Sequence, residues 1–192
     1  MTDIWNAIKL KLNEIAPEIL NNLFPGVTDI EVWNLEKLIK AKLPIDFINF
    51  YKIHNGQKTK SAALIEREEL LSFERIETQW KAWASLLDSK ILEEKNNYYS
   101  SITSDNGVKK EWWNFLWIPI TYDGNGNHFC LDLSPTKKGR YGQIIRVWHD
   151  DCEREVVANS FKEWITDYKD KLINGQFVYS EDYFGIVNKD WI

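Results

Sequence analysis

The apolar periodicity of this chain changes once, near Trp117, and that change bounds the folds open to it. Upstream, apolar residues recur at helical spacing. Ile4, Ile8, Leu12, Ile15 and Ile19 form one stripe, restarted at Pro17. Phe24-Pro25-Gly26 reads as a turn. Thr28-Asp29-Ile30-Glu31 has the form of a capping box, and the helix it opens carries Val32, Leu35, Leu38 and Ile39 on one side. Pro44 suits the first turn of a further helix, where Phe47, Phe50, Tyr51 and His54 share a face and Asn55-Gly56 closes it. Residues 61–71 fit a short strand or a loop. Ser72 caps another helix with Ile76, Trp80 and Trp83 inside. Residues 93–110 are polar and read as a mobile loop.

Downstream the pattern is that of strands. Trp117-Ile118-Pro119-Ile120 and His128 to Leu133 flank Asp123-Gly124-Asn125-Gly126-Asn127, a stretch of turn residues, and so predict a hairpin. Gln143 to Trp148 is a third strand and Glu155 to Ala158 a short fourth. Ser160 caps a last helix that buries Phe161, Trp164, Ile165, Tyr168 and Leu172 and ends at Asn174-Gly175. Helices, then a strand meander, then a helix predict an α+β domain with a mainly antiparallel, mixed sheet. The whole chain, residues 1–192, reads as a single domain with a helical segment over residues 1–26.

Composition narrows the function classes. Aromatic residues make up 14% of the chain, ten of them Trp, which excludes disorder over most of it. The 29 acidic residues outnumber the 24 Lys and Arg, so the chain lacks the basic footprint of a nucleic-acid binder. No apolar run reaches the roughly 18 residues of a membrane span, and Met1-Thr2-Asp3-Ile4-Trp5 is no signal peptide; a cytoplasmic protein is expected. Cys130 and Cys152 then read as free thiols.

The chemical constellations are thin. Asp123, Asn125 and Asn127 occupy the first, third and fifth positions of a calcium-loop pattern, but His128 and Ser134 stand where Gly and Glu are required. His149-Asp150-Asp151-Cys152 lacks metal-ligand spacing. His54, His128 and Cys130 offer a base and a nucleophile without a motif to join them, and Cys130 sits in an apolar strand. No phosphate-binding Gly loop is present, and no cofactor or metal is expected. One positive pattern remains. Asp123, Asp132, Asp150, Asp151, Glu153 and Glu155 lie in or beside the meander, with Trp112 and Trp113 just before it. Gathered on one sheet edge they would form an acidic, aromatic rim for a basic protein partner; the alternative is a scattered, solvated surface. Of the adjacent Trp112 and Trp113, one is expected in the core and one at the surface.

Several stretches taken together resemble the SUKH superfamily, Smi/Knr type. They are Leu43-Pro44-Ile45-Asp46-Phe47, Tyr51 to Gln57, Trp117 to Ile120, Asp123 to His128, Leu131-Asp132-Leu133, Gly142 to Ile145, His149-Asp150-Asp151 and Val156 to Trp164. The resemblance covers residues 5 to 170. It implies an α+β fold without catalysis, bacterial members that neutralise toxins as immunity proteins, and fungal members that act as scaffolds in cell-wall synthesis. It supplies no catalytic residues, and Gly126-Asn127 and Asp132 match as structural features. The leading expectation is an immunity protein docking a basic toxin domain. A cell-wall regulatory scaffold comes second, and a small-ligand binder or enzyme at His128 and Asp132 third.

Overall fold

The computed structural model describes residues 1–87, 103–151 and 153–192. Helix α1 (Thr2–Ile15) breaks at Ala16, because Pro17 lacks the N–H that would continue it, and α2 (Pro17–Asn21) restarts there. Strand β1 (Leu23–Pro25) follows, where a turn was expected. Thr28 and Glu31 form the predicted capping box at the start of α3 (Asp29–Ile39). Pro44 is the N-cap of α4 (Ile45–Tyr51). This helix ends earlier than its periodicity suggests. His54 is not on it but begins strand β2 (His54–Gln57), which pairs antiparallel with β1. Gly56, expected as a helix stop, lies in that strand at φ 66°.

Strand β3 (Glu69–Leu70) resolves the ambiguous stretch, and α5 (Phe73–Leu87) follows. Strands β4 (Thr103–Ser104), β5 (Trp117–Pro119), β6 (Thr121–Tyr122), β7 (His128–Asp132), β8 (Gln143–Val147) and β9 (Glu153–Ala158) come next. Five of them form one sheet in the order β4-β9-β8-β7-β5, antiparallel except for the β4–β9 pair; β6 pairs with β3 instead. Helix α6 (Phe161–Ile173) is capped by the Ser160 hydroxyl, which accepts the Glu163 N–H. Beyond it, β10 (Phe177–Ser180) and β11 (Gly185–Asn188) make a hairpin that was not expected. The expected loop at 93–110 is outside the described residues up to 102. Its remainder is structured: Thr103–Ser104 lie parallel to Glu153–Arg154, and Gly107 and Val108 are buried. Cys152 also lies outside the described residues.

Both faces of the five-stranded sheet carry a core, which buries β7 throughout and leaves part of β9 exposed. On one face, Phe129, Leu131, Ile144 and Ala158 join the larger core, with Trp5, Ile8 and Leu12 of α1, Phe47 and Phe50 of α4, and Phe161, Trp164 and Ile165 of α6. On the other, Cys130, Ile145 and Val147 meet Trp83, Trp112, Trp113 and Trp117 in a second, tryptophan-walled core. Period-two alternation sorts the strand residues between the two. Trp112 and Trp113 are therefore both buried, contrary to the expected split. They lie on an irregular segment, so alternation does not divide them. Trp113 stacks on Trp83 at 4.4 Å, and the Trp112 indole N–H donates to the His149 carbonyl at 3.2 Å.

Candidate functional site

The sheet face that packs on α6 extends past the helix and opens as a cleft of about 610 Å³. Phe129, Arg146 and Glu155 are direct neighbours across β7, β8 and β9 and share that face, so they form its floor. Glu66, Arg67 and Glu68 supply one wall. Asp123, Asn125, Trp148, Val157, Lys171 and Trp191 complete the lining.

The wall is a tight turn held from outside. The buried Gln57 amide spends both its ends on the chain around it. Its oxygen accepts the Leu64 and Leu70 N–H groups at 2.9 and 3.0 Å, and its nitrogen donates to Ser61 Oγ and the Ala62 carbonyl at 2.8 Å. The C-terminal hairpin grips the other side: Ala63 N–H donates to the Phe184 carbonyl and Arg67 N–H to the Ile186 carbonyl. Between these anchors Ile65 and Glu68 exchange backbone hydrogen bonds, and Glu66 and Arg67 take φ values of 42° and 69°. Two positive φ angles in a two-residue connection are the geometry that favours Asn-Gly. Side-chain-bearing residues held there carry strain of the kind concentrated at ligand clamps. Replacing the pair by Glu66→Asn and Arg67→Gly is expected to raise stability by about 1 kcal/mol in urea unfolding, since both new residues tolerate positive φ. A loss of stability would show that the Glu66 and Arg67 side chains hold the turn.

The floor is electrostatically knit. Arg146 bonds the Glu68 carboxylate at 2.5 Å and lies over the rings of Phe129 (4.6 Å) and Trp148 (5.4 Å). Glu68 also accepts the Thr121 hydroxyl at 2.6 Å. Burial pushes the Glu68 carboxyl up to about 7, against the pull of Arg146 and Thr121. Asp123 spends both carboxylate oxygens on its own turn, accepting from Asn125 N, Asn127 N and Asn127 Nδ2 at 2.6–3.0 Å. Burial alone would raise it, but those hydrogen bonds outweigh burial and hold it below the ordinary carboxylate range. The Asn127 side chain in turn accepts the His149 N–H at 3.0 Å, which clamps the β6–β7 tip to the end of β8 and fixes Trp148 beside the cleft. Gly126 allows that approach: a Cβ there would stand 3.2 Å from the His149 ring.

The expected rim is thus divided. Asp123 lines the cleft, as does Glu155. Asp150, Asp151 and Glu153 are exposed in and after the turn that leaves β8, where Asp151 Oδ1 accepts the Glu153 N–H at 3.0 Å. Asp132 is fully buried on the opposite sheet face, accepting Gln143 Nε2 and Ser134 N–H at 2.8 Å, so it presents nothing to a partner. Trp112 and Trp113 are on that face too. The third expectation, chemistry at His128, meets a locked ring: Nδ1–H donates to the Thr121 carbonyl, and Nε2 accepts the Trp83 indole N–H at 3.0 Å. Burial lowers the His128 pKa to about 4 and pushes the Cys130 thiol up, leaving a neutral imidazole and a neutral thiol. His54 is remote from both, edge-on to Trp5. Among the described residues no three His, Cys, Asp or Glu side chains gather as a metal cluster.

Glu68 and His128 give stability opposite dependences on pH. The folded Glu68 keeps its proton up to about 7 against an ordinary 4.5, so its contribution is complete at low pH and is lost as pH rises through that window. The folded His128 stays neutral down to about 4 against an ordinary 6.5, so its contribution is complete at high pH and is lost as pH falls through that window. Where the windows overlap the slopes cancel. Urea unfolding across the two windows is expected to show Glu68→Gln losing stability on acidification and His128→Gln losing it on alkalinisation. Parallel pH profiles for the two variants would refute this.

The sequence reading missed Glu66, Arg67, Glu68, Arg146, Trp148 and Trp191 as cleft residues. One of them had left a signal: Arg146 interrupts the apolar run Ile144-Ile145-Arg146-Val147, and a charge there needs a buried partner or an opening to solvent.

A profile of the SMI1 / KNR4 family (SUKH-1) matches residues 26–167, most of the chain and all of the five-stranded sheet. The chain belongs to this family. Three fungal relatives agree with the match. The glucan synthesis regulatory protein of Neurospora crassa is 24% identical over 93% of this chain and 39% of its own length. The cell wall biosynthesis/cell cycle regulator smi1 of Schizosaccharomyces pombe is 26% identical over 95% of this chain and 38% of its own. The cell wall assembly regulator SMI1 of Saccharomyces cerevisiae is 23% identical, covering 94% and 42%. The chain therefore spans about two-fifths of these relatives. In this SMI1/KNR4 chain the cleft lies on the sheet face shared with α6, at the end that helix leaves uncovered. No helix among the described residues is long and apolar enough to cross a membrane.

Proposed function

We propose that this SMI1/KNR4 domain is a non-catalytic docking module in the regulation of cell-wall synthesis, acting in the cytoplasm and holding a protein partner in the cleft between the Glu66–Glu68 turn and the sheet. The observation that carries this reading is similarity along more than nine-tenths of the chain to proteins named as glucan-synthesis and wall-assembly regulators. It reverses the order suggested by the superfamily resemblance alone, in which toxin neutralisation came first. The cleft supports the docking part. A strained turn held by Gln57 and the C-terminal hairpin, and an aromatic and charged lining, suit recognition. A buried neutral His128 and a buried neutral Cys130 do not suit nucleophilic chemistry.

The test is deletion of the gene in its source organism, with growth measured under wall-perturbing drugs. Sensitivity rescued by the wild-type gene, and not by a cleft variant that still folds, is the expected result. Unchanged drug resistance, with new sensitivity to one co-encoded toxin, would overturn the wall reading in favour of immunity.

A further inference from the structure

The charged groups of the cleft are not equally free. Arg146 is bonded to Glu68 and lies over two aromatic rings. Arg67 lies over the Tyr183 ring at 4.6 Å. Lys171, a cation near Glu66, is bonded to Asp167 at 2.8 Å. Asp123 is spent on its own turn. Two carboxylates remain. Neither Glu66 nor Glu155 has a direct hydrogen bond or ion pair from a side chain among the described residues, though Lys171 and Arg146 act on Glu66 at longer range; Glu66 stands on the wall and Glu155 on the floor of the same cavity. Beside them, among the engaged cations Arg67, Arg146 and Lys171, the lining presents apolar surface from Trp148, Val157 and the half-exposed Trp191. Two carboxylates without a direct partner, beside such apolar surface, fit a cation on an apolar stem, and a planar guanidinium fits better than an ammonium. It stacks on indole faces and offers several donors in one plane.

We infer that the cleft receives an arginine side chain of the partner protein, its guanidinium shared by Glu66 and Glu155 and its stem against Trp148, Val157 and Trp191. This deepens the docking reading and rests on it. The net charge of −5 adds long-range attraction for a basic partner. The strain at Glu66 also has a use here. An Asn-Gly pair would relax the turn but would remove the carboxylate that the turn presents.

The experiment uses the intact chain and two small probes, acetyl-arginine amide and its neutral isostere acetyl-citrulline amide. Each is titrated into isotope-labelled protein while the indole N–H resonances of Trp148 and Trp191 are followed. Saturable shifts with the arginine probe and none with the citrulline probe are expected. Glu66→Gln with Glu155→Gln is expected to weaken the arginine probe by about tenfold, the worth of a charge-assisted hydrogen bond. Asp3→Asn with Glu74→Gln, two exposed carboxylates outside the cleft, makes the same change in net charge and is expected to leave binding unaltered. Equal binding of both probes, or equal weakening by both variant pairs, would overturn the arginine assignment.

A photo-crosslinking residue at Val157, introduced in cells, separates the two levels. A cross-link to one protein without any arginine preference would keep the docking reading and remove the arginine. Arginine-probe binding with no protein cross-linked would remove the docking reading and assign the cleft to a small cationic ligand.

Discussion

Trp83→Ala is expected to destabilise the protein by about 3–5 kcal/mol, the range for emptying a large aromatic from a packed core. Trp83 is the side chain by which α5 enters the second core. It stacks on Trp113 at 4.4 Å with planes 8° apart, meets Trp112 edge-on at 5.0 Å, and donates its indole N–H to His128 at 3.0 Å. Truncation leaves a cavity beside the Trp112 and Trp113 indoles and strips the imidazole of its donor. Trp83→Phe separates these two effects. It keeps a six-membered ring for stacking and loses the N–H with the smaller part of the indole, and is expected to cost about 1–3 kcal/mol, for the unsatisfied buried nitrogen and a smaller void. The His128 pKa supplies an independent readout. With Nε2 released it is expected to climb from about 4, visible in the imidazole proton resonances on titration. If Trp83→Phe leaves both stability and this pKa unmoved, the indole–imidazole bond contributes nothing to the second core.

Gly56→Ala is expected to cost about 3 kcal/mol or more, by two routes that add. Its φ of 66° strains any residue with a Cβ, and the new methyl group would stand 2.5 Å from the Leu71 carbonyl carbon and oxygen, where backbone must move. That backbone is not free to yield. Leu71 N–H donates to the Ile120 carbonyl, and its own carbonyl accepts the buried Tyr51 hydroxyl at 3.0 Å. Urea midpoints for Gly56→Ala and for Gly175→Ala, where φ is 72° but a Cβ meets nothing within 4 Å, divide the cost. The first should exceed the second by the steric part alone. Equal losses would mean that Leu71 moves aside without penalty.

The helices and the central strands were legible wherever the signal is local. Thr28 and Glu31, Ser160 and Glu163, and the Asp123 to Asn127 turn between two apolar runs need only a few residues to show themselves, and each does in the structure what its spacing suggests. His54 was misplaced because helical spacing continues past Tyr51 by coincidence; the helix stops where the chain turns to pair Pro25 with His54. The C-terminal hairpin was overlooked, although Phe177-Val178-Tyr179 and Ile186-Val187 are ordinary strand composition.

The cleft was illegible for a different reason. Its wall comes from residues 66–68, its floor from residues 129–155 and one rim from Trp191, and no spacing rule joins segments so far apart. The expected acidic rim is divided for the same cause. Asp123 and Glu155 point to the open side, but Asp132 sits at a strand position whose parity sends it to the tryptophans, and parity cannot be turned into a direction until the sheet's two coverings are known.

The two covered faces also act as a check on strand alignment. Along β7, Phe129 and Leu131 enter the larger core while His128, Cys130 and Asp132 enter the smaller. In a sheet with one wet face, a shift of one residue exchanges a buried set for a solvated one, and water softens the mistake. Along β7, buried at every position, there is no wet side to receive the error. A slipped β7 would drive an imidazole and a carboxylate among Trp164, Phe161 and Leu172, and would press Phe129 and Leu131 into space already filled by four indoles. It would also break the bonds that Thr121, Trp83 and Gln143 keep for those two polar groups. The misaligned chain is penalised twice, once in each compartment, and the polar residues buried in the smaller one serve as the teeth that let the sheet close in a single way.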